Sequence, residues 1–161
     1  MIELASDTDL LRARYRPPKV RVLFVGEAPP AGGTFFYRGD SQVFRYLREA
    51  LQAHLGHPSD FLSAFAERGY FLDDLVIEPV DRIPLKARAP IYRENVQLLA
   101  DRMVAYDPEM IITILMRICP YVQDARCRAR LNVLHHCVPF PGTGQQANFR
   151  RRMAEIVPLL P

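Results

Sequence analysis

Lysine is nearly missing from this 161-residue chain: Lys19 and Lys86 are its only two, against 21 basic residues in all. Arginine therefore carries almost the whole positive charge, which fits either a phosphate-reading surface or a genome that writes Arg for Lys. Cysteine is scarce too. Cys119, Cys127 and Cys137 contain no CxxC spacing, which argues against a disulfide framework and a closed zinc or iron–sulfur site and leaves free buried thiols as the expectation. No uncharged apolar stretch approaches the roughly 20 residues of a spanning helix, and the first ten residues carry acids and no apolar run. A cytoplasmic protein without a membrane partner is expected. Repeats, low-complexity tracts and Ser/Gly linkers are also lacking. What is present is 49% hydrophobic and 24% charged residues at a mean hydropathy of −0.07. That composition suits one domain over 1–161, with 1–18 peripheral. A net charge of +3 and a pI near 8.9 permit a polyanionic partner without requiring one.

Hydrophobic periodicity predicts strands alternating with helices. The run 20–25 is short, β-branched and aromatic and stops at Gly26, as a buried strand entering a loop would. Helical spacing follows from Ser41 towards Gly56, with Asp40 or Ser41 as cap, and again over 59–69. A strand is expected around 70–77, interrupted by Asp73 and Asp74. A helix opened by Pro90 ends before Asp107, a continuous apolar strand spans 110–116, a last strand 132–138, and a closing helix 149–157. This order predicts an α/β three-layer sandwich with a central, mostly parallel four-stranded sheet and a ligand site beyond the strands' carboxyl ends.

The loop in that position reads Gly26-Glu27-Ala28-Pro29-Pro30 and continues to Phe35-Phe36-Tyr37. A carboxylate next to a strand end, stiffened by two prolines and followed by three aromatics, is costly to expose without a ligand. The stretch resembles the first motif of the uracil-DNA glycosylase superfamily, in the branch whose loop reads GEAPG. That resemblance implies a fold of the same kind, with Glu27 orienting or activating the attacking water and Phe36, with Tyr37 beside it, stacking on a flipped base. The chemistry is consistent with this: cleaving an N-glycosidic bond passes through a cation that a carboxylate stabilises, and an extruded base needs an aromatic face. The bland alternative is a capping or salt-bridged Glu27 and core aromatics.

Residues 70–76 resemble the family's second motif, with Asp74 where Asn is common. An ionised aspartate only accepts hydrogen bonds, which suits a base edge bearing an exocyclic amine better than uracil. Alternatively, Asp73 and Asp74 cap a turn or pair with Arg82. Residues 138–150 lie where the family has its HPSP-type loop, and aligning the prolines puts Val138 in the place of the catalytic histidine. His136 or His135 upstream is the expected substitute, although neighbours on a strand face opposite ways. Gly142 and Gly144 in a tight turn, with Arg150, are the expected DNA-backbone contacts, and Phe140 the wedge. Arg126, Arg128, Arg151 and Arg152 are further candidates for phosphate contacts, or merely solvated. Cysteine spacing excludes the branch's iron–sulfur cluster.

Together these features imply a monomeric DNA glycosylase-like protein without metal or cofactor, acting on DNA in base-excision repair. A catalytically inactive nucleic-acid or nucleotide-binding module of the same fold is the first alternative. A binder of a small phosphorylated metabolite is the second.

Overall fold

The computed structural model describes residues 5–161. Its centre is a four-stranded sheet of β1 (Val22–Gly26), β2 (Tyr70–Asp74), β3 (Met110–Ile114) and β4 (Leu134–Val138), all parallel and in the order β2-β1-β3-β4. Val22 pairs with Tyr70 on one side and Met110 on the other, and Met110 with Leu134. β1, β2 and β3 are buried apart from Gly26 at the end of β1, as the unbroken apolar runs of β1 and β3 require of a sheet covered on both faces. β4, at the edge, is only half-buried over most of its length.

Among the described residues six α-helices surround the sheet: α1 (Asp7–Arg14), α2 (Gln42–Leu51), α3 (Phe61–Glu67), α4 (Ala89–Tyr106), α5 (Cys119–Arg128) and α6 (Gln146–Ile156). α2 packs on α6 and α4 packs on α5. Helices thus flank the parallel sheet, giving a three-layer α/β sandwich. Caps set the boundaries. Ser41 Oγ accepts from Phe44 N at 3.0 Å and starts α2, Asp60 does the same for α3, and Pro90 occupies the first turn of α4. α2 ends at Leu51, sooner than the apolar spacing to Leu55 suggests, and 52–55 continue as turns to Gly56.

β2 retains both of its carboxylates instead of breaking at them, and 75–77 leave the sheet. The reason is local: Asp74 N donates to Asp73 Oδ1 at 2.8 Å, and the backbone then turns so that Leu75 N donates to Gly26 O at 2.9 Å. α1 has no buried residue and lies on the surface. It nevertheless sends Arg12 inward, a contribution that the reading of 1–18 as peripheral did not include.

Candidate functional site

Leaving β1 the chain crosses to β2 on one side, whereas leaving β3 it crosses to β4 on the other. The carboxyl ends of β1 and β3 therefore flank the point where strand order reverses, which is where open parallel sheets bind ligands. A cleft of about 1110 Å³ opens there, lined from the β1 loop by Glu27, Phe35 and Phe36, from β2 by Asp74, from the β3 loop by Leu115, Met116 and Arg117, and from the β4 loop by Phe140, Gly142 and Thr143.

Glu27 is held from three sides. Arg88 Nη1 lies 3.1 Å from both carboxylate oxygens, Arg117 Nη2 reaches Oε2 at 3.2 Å, and the Tyr92 hydroxyl donates to the same Oε2. Arg117 Nε also donates to the Tyr92 hydroxyl at 3.3 Å. Burial by itself would raise this carboxyl, but the hydrogen bonds from Tyr92, Arg117 and Arg88 outweigh it and hold Glu27 below its usual range. The side chain keeps 20% of its surface exposed. Oε2 is saturated, while Oε1 takes a bond from Arg88 alone and so has room for a water or a ligand donor. Such a carboxylate stays ionised: it suits stabilising a cation or orienting a water better than accepting a proton.

Asp74 differs. Its side chain is 8% exposed, Oδ2 accepts from Arg12 Nη2 at 2.8 Å, and its neighbour Asp73 accepts from Arg102 Nε at 2.9 Å and from the Tyr106 hydroxyl at 2.7 Å. Burial raises the Asp74 carboxyl to about 7; Arg12 opposes the rise and the adjacent Asp73 adds to it. Arg12 thus pairs with both aspartates and Arg102 with Asp73, while Arg102 Nη2 donates to the Asp74 backbone carbonyl at 2.5 Å; neither carboxylate pairs with Arg82. Asp74 Oδ1 lies over Gly26, where a Cβ would approach it to 2.6 Å, so any larger residue here would have to displace the Asp74 carboxylate. Among the described residues Oδ1 takes no hydrogen bond.

Of the aromatics, Phe36 lines the cleft but is 4% exposed and meets Tyr37, Phe44 and Phe65 edge-on. Phe35 also lines the cleft, with the Arg12 and Arg38 guanidiniums 5.7 and 5.8 Å from its ring centre. Tyr37, expected to touch a base, does not line the cleft: it is fully buried, and its hydroxyl donates to Leu72 O at 2.8 Å and accepts from Leu72 N at 2.7 Å, which fixes the 35–39 loop against β2. Phe140 is 37% exposed at the rim.

The remaining expected residues are not gathered in. His136 faces α6, away from the cleft, with Nε2 buried and unpartnered, and burial and Arg152 lower its basicity. The alternation of a strand sends His135 to the opposite face, where Nε2 lies 2.8 Å from Thr113 Oγ1 and Nδ1 2.8 Å from Gln123 Oε1. Val138 is buried and lines nothing. Gly144 lies outside the cleft lining, and Arg150 pairs with Glu49 at 2.7 Å on the surface between α6 and α2. Arg126 is structural, donating to Leu131 O and Val133 O at 3.0 and 3.1 Å.

Two expectations about cysteine are also corrected. A disulfide joins Cys119 and Cys137, whose Cα atoms are 6.1 Å apart, and the free Cys127 is exposed. The sequence spacing carries no sign of this pairing, because β4 and the first turn of α5 meet only in the folded sheet. With His135, these sulfurs form the one group among the described residues whose ligand atoms lie within 4.8 Å of one another. Bonded to each other, the sulfurs are not thiolate ligands.

The residues that sequence reasoning missed are the clamps. Arg88 and Tyr92, and again Arg102 and Tyr106, stand four apart on or at the start of α4 and so share a face. The first pair holds Glu27 and the second holds Asp73. A repeated R-x-x-x-Y on one long helix was the available signal. Neither a comparison with protein-family models nor one with curated proteins finds a match for the chain.

Proposed function

We propose that this cleft receives a base flipped out of DNA and that the protein hydrolyses its N-glycosidic bond. The observation that supports this best is the convergence of Glu27, Phe36 and Asp74 on one cleft at the reversal of strand order. Glu27, kept ionised, stabilises the oxocarbenium-like sugar and orients water through Oε1. The free Oδ1 of Asp74 reads the polar edge of the base, and the Phe35–Phe36 wall covers its face. Phe140 at the rim fills the gap left in the duplex. Arg117 and Arg45, which also line the cleft, offer positive charge to the departing base in place of the absent histidine.

One observation favours a second reading. No histidine lines the cleft, and two arginines already balance Glu27, so the protein would bind a base or nucleotide without turnover. Duplexes carrying uracil, hypoxanthine, xanthine or a mismatch, incubated with protein and then treated to cleave abasic sites, separate the two. Strand breaks that vanish with Glu27→Gln support hydrolysis. Salt-dependent binding without breaks supports the binding module. Absence of both would leave a DNA role without support.

A further inference from the structure

The Cys119–Cys137 disulfide lies outside the cleft but at the root of two of its walls. Cys119 opens α5, two residues beyond Arg117, and Cys137 stands near the end of β4, three residues before Phe140. A single covalent link therefore joins the 115–118 loop, which supplies Arg117 to Glu27, to the 139–145 loop, which supplies Phe140, Gly142 and Thr143 to the rim. We propose that Cys119 and Cys137 form an exchangeable thiol–disulfide site, open to low-molecular-weight thiols, whose redox state sets how tightly these two loops are held.

Three features fit exchange better than an inert staple. Both cysteines are half-buried and not enclosed in the core, so a small thiol can reach them. Cys137 lies on the edge strand of the sheet, which has no further strand beside it, and Cys119 packs against it from the start of α5. Cys119 lies in the first turn of the ten-residue helix α5, where the positive helix end stabilises a thiolate and makes it the better leaving group. Exchange then begins with an incoming thiolate attacking Cys137 Sγ. The Cys119–Cys137 bond breaks, its electron pair leaves on Cys119 Sγ, and a mixed disulfide remains on Cys137. A second molecule of the reducing thiol, as thiolate, attacks the sulfur that the first placed in that mixed disulfide, releasing Cys137 as thiolate and the two reductant molecules joined as a disulfide. Two electrons pass to the protein, and the thiolates take protons from water. Glutathione disulfide reverses the sequence. His135 Nε2, 3.6 Å from Cys137 Sγ, adjoins the attacked sulfur and is kept neutral by burial, with Arg126 and His136 adding to this.

The experiment uses the whole chain with Cys127→Ser, so that the exposed thiol does not form bridges between molecules. Protein equilibrated over a series of glutathione to glutathione disulfide ratios is denatured and its thiols titrated, while amide hydrogen exchange is followed by mass spectrometry. The expected result is a reversible change between none and two thiols per chain, with exchange in 115–118 and 139–145 about tenfold faster in the reduced form and β1 unchanged. Cys119→Ser and Cys137→Ser should each show the fast loops at every ratio. Two thiols at all ratios, or a disulfide whose reduction leaves both loops unchanged, would overturn the proposal. So would reduced protein that retains one equivalent of zinc through dialysis and loses it with His135→Ala, which would make the cluster a metal centre. None of these readouts requires the cleft to act on DNA.

Discussion

Glu27 and Asp74 stand at the ends of neighbouring strands, line one cleft and are both gripped by arginine, yet their carboxyls move in opposite directions. The arginines do not make the difference. Glu27 collects hydrogen bonds from Arg88, Tyr92 and Arg117 and keeps a fifth of its surface in water, whereas Asp74 is almost wholly buried, shares Arg12 with a second carboxylate and has one oxygen free of protein donors. Donor count and solvent access outweigh the presence of a cation. The consequence is a division of labour: a fixed negative charge at one side of the cleft, and at the other a carboxyl that changes between donor and acceptor near neutrality.

The largest effect should come from removing the charge that distinguishes Glu27. Glu27→Gln is expected to lower single-turnover base release by about 100-fold or more while leaving DNA affinity within a few-fold, since the loss falls on the transition state. Arg12→Ala should leave Asp73 and Asp74 buried with Arg102 as their remaining cation, costing about 3 kcal/mol in chemical denaturation. If the loss is negligible, Asp74 is not held as described.

A subtler break is Tyr92→Phe. It removes the donor to Glu27 Oε2 and should raise the Glu27 carboxyl towards its ordinary value, at a stability cost of about 1 kcal/mol. Asp74→Asn tests the other half. An acid raised from 3.8 to about 7 on folding holds more protons folded than unfolded between those values, so its contribution to stability declines as pH rises from 3.8 to about 7 and is level above. The buried His135, lowered from 6.5 to about 4, gives the opposite slope over much of that window. The difference in stability between wild type and Asp74→Asn isolates the Asp74 slope. In binding, wild-type affinity for a base with a carbonyl edge should weaken as pH rises through about 7, and the asparagine variant should not follow.

The same contrast shows what could be read in advance. The parallel sheet was legible because β1 and β3 are short apolar runs between turn signals, and Glu27 and Asp74 were legible because each follows or ends such a run. Their different chemistry was not, because it depends on Arg12, Arg88, Arg102 and Arg117, which approach from three other segments. Tyr37 was misjudged for a related reason: an aromatic in a loop looks available for stacking until the backbone of Leu72 is found to take both hydrogen bonds of its hydroxyl. His136 was misjudged because facing on a short edge strand is fixed by register, and here Ile112 lies opposite it.

The most direct measurement is a carboxyl carbon NMR titration of the uncut protein from about pH 3 to about pH 9, with Glu27 and Asp74 assigned by single substitution. Glu27 titrating below the ordinary glutamate range and Asp74 titrating near 7 is the predicted result. Glu27 titrating near neutrality, or Asp74 fully ionised throughout that range, would contradict the assignment of the fixed charge to one and the variable edge-reader to the other.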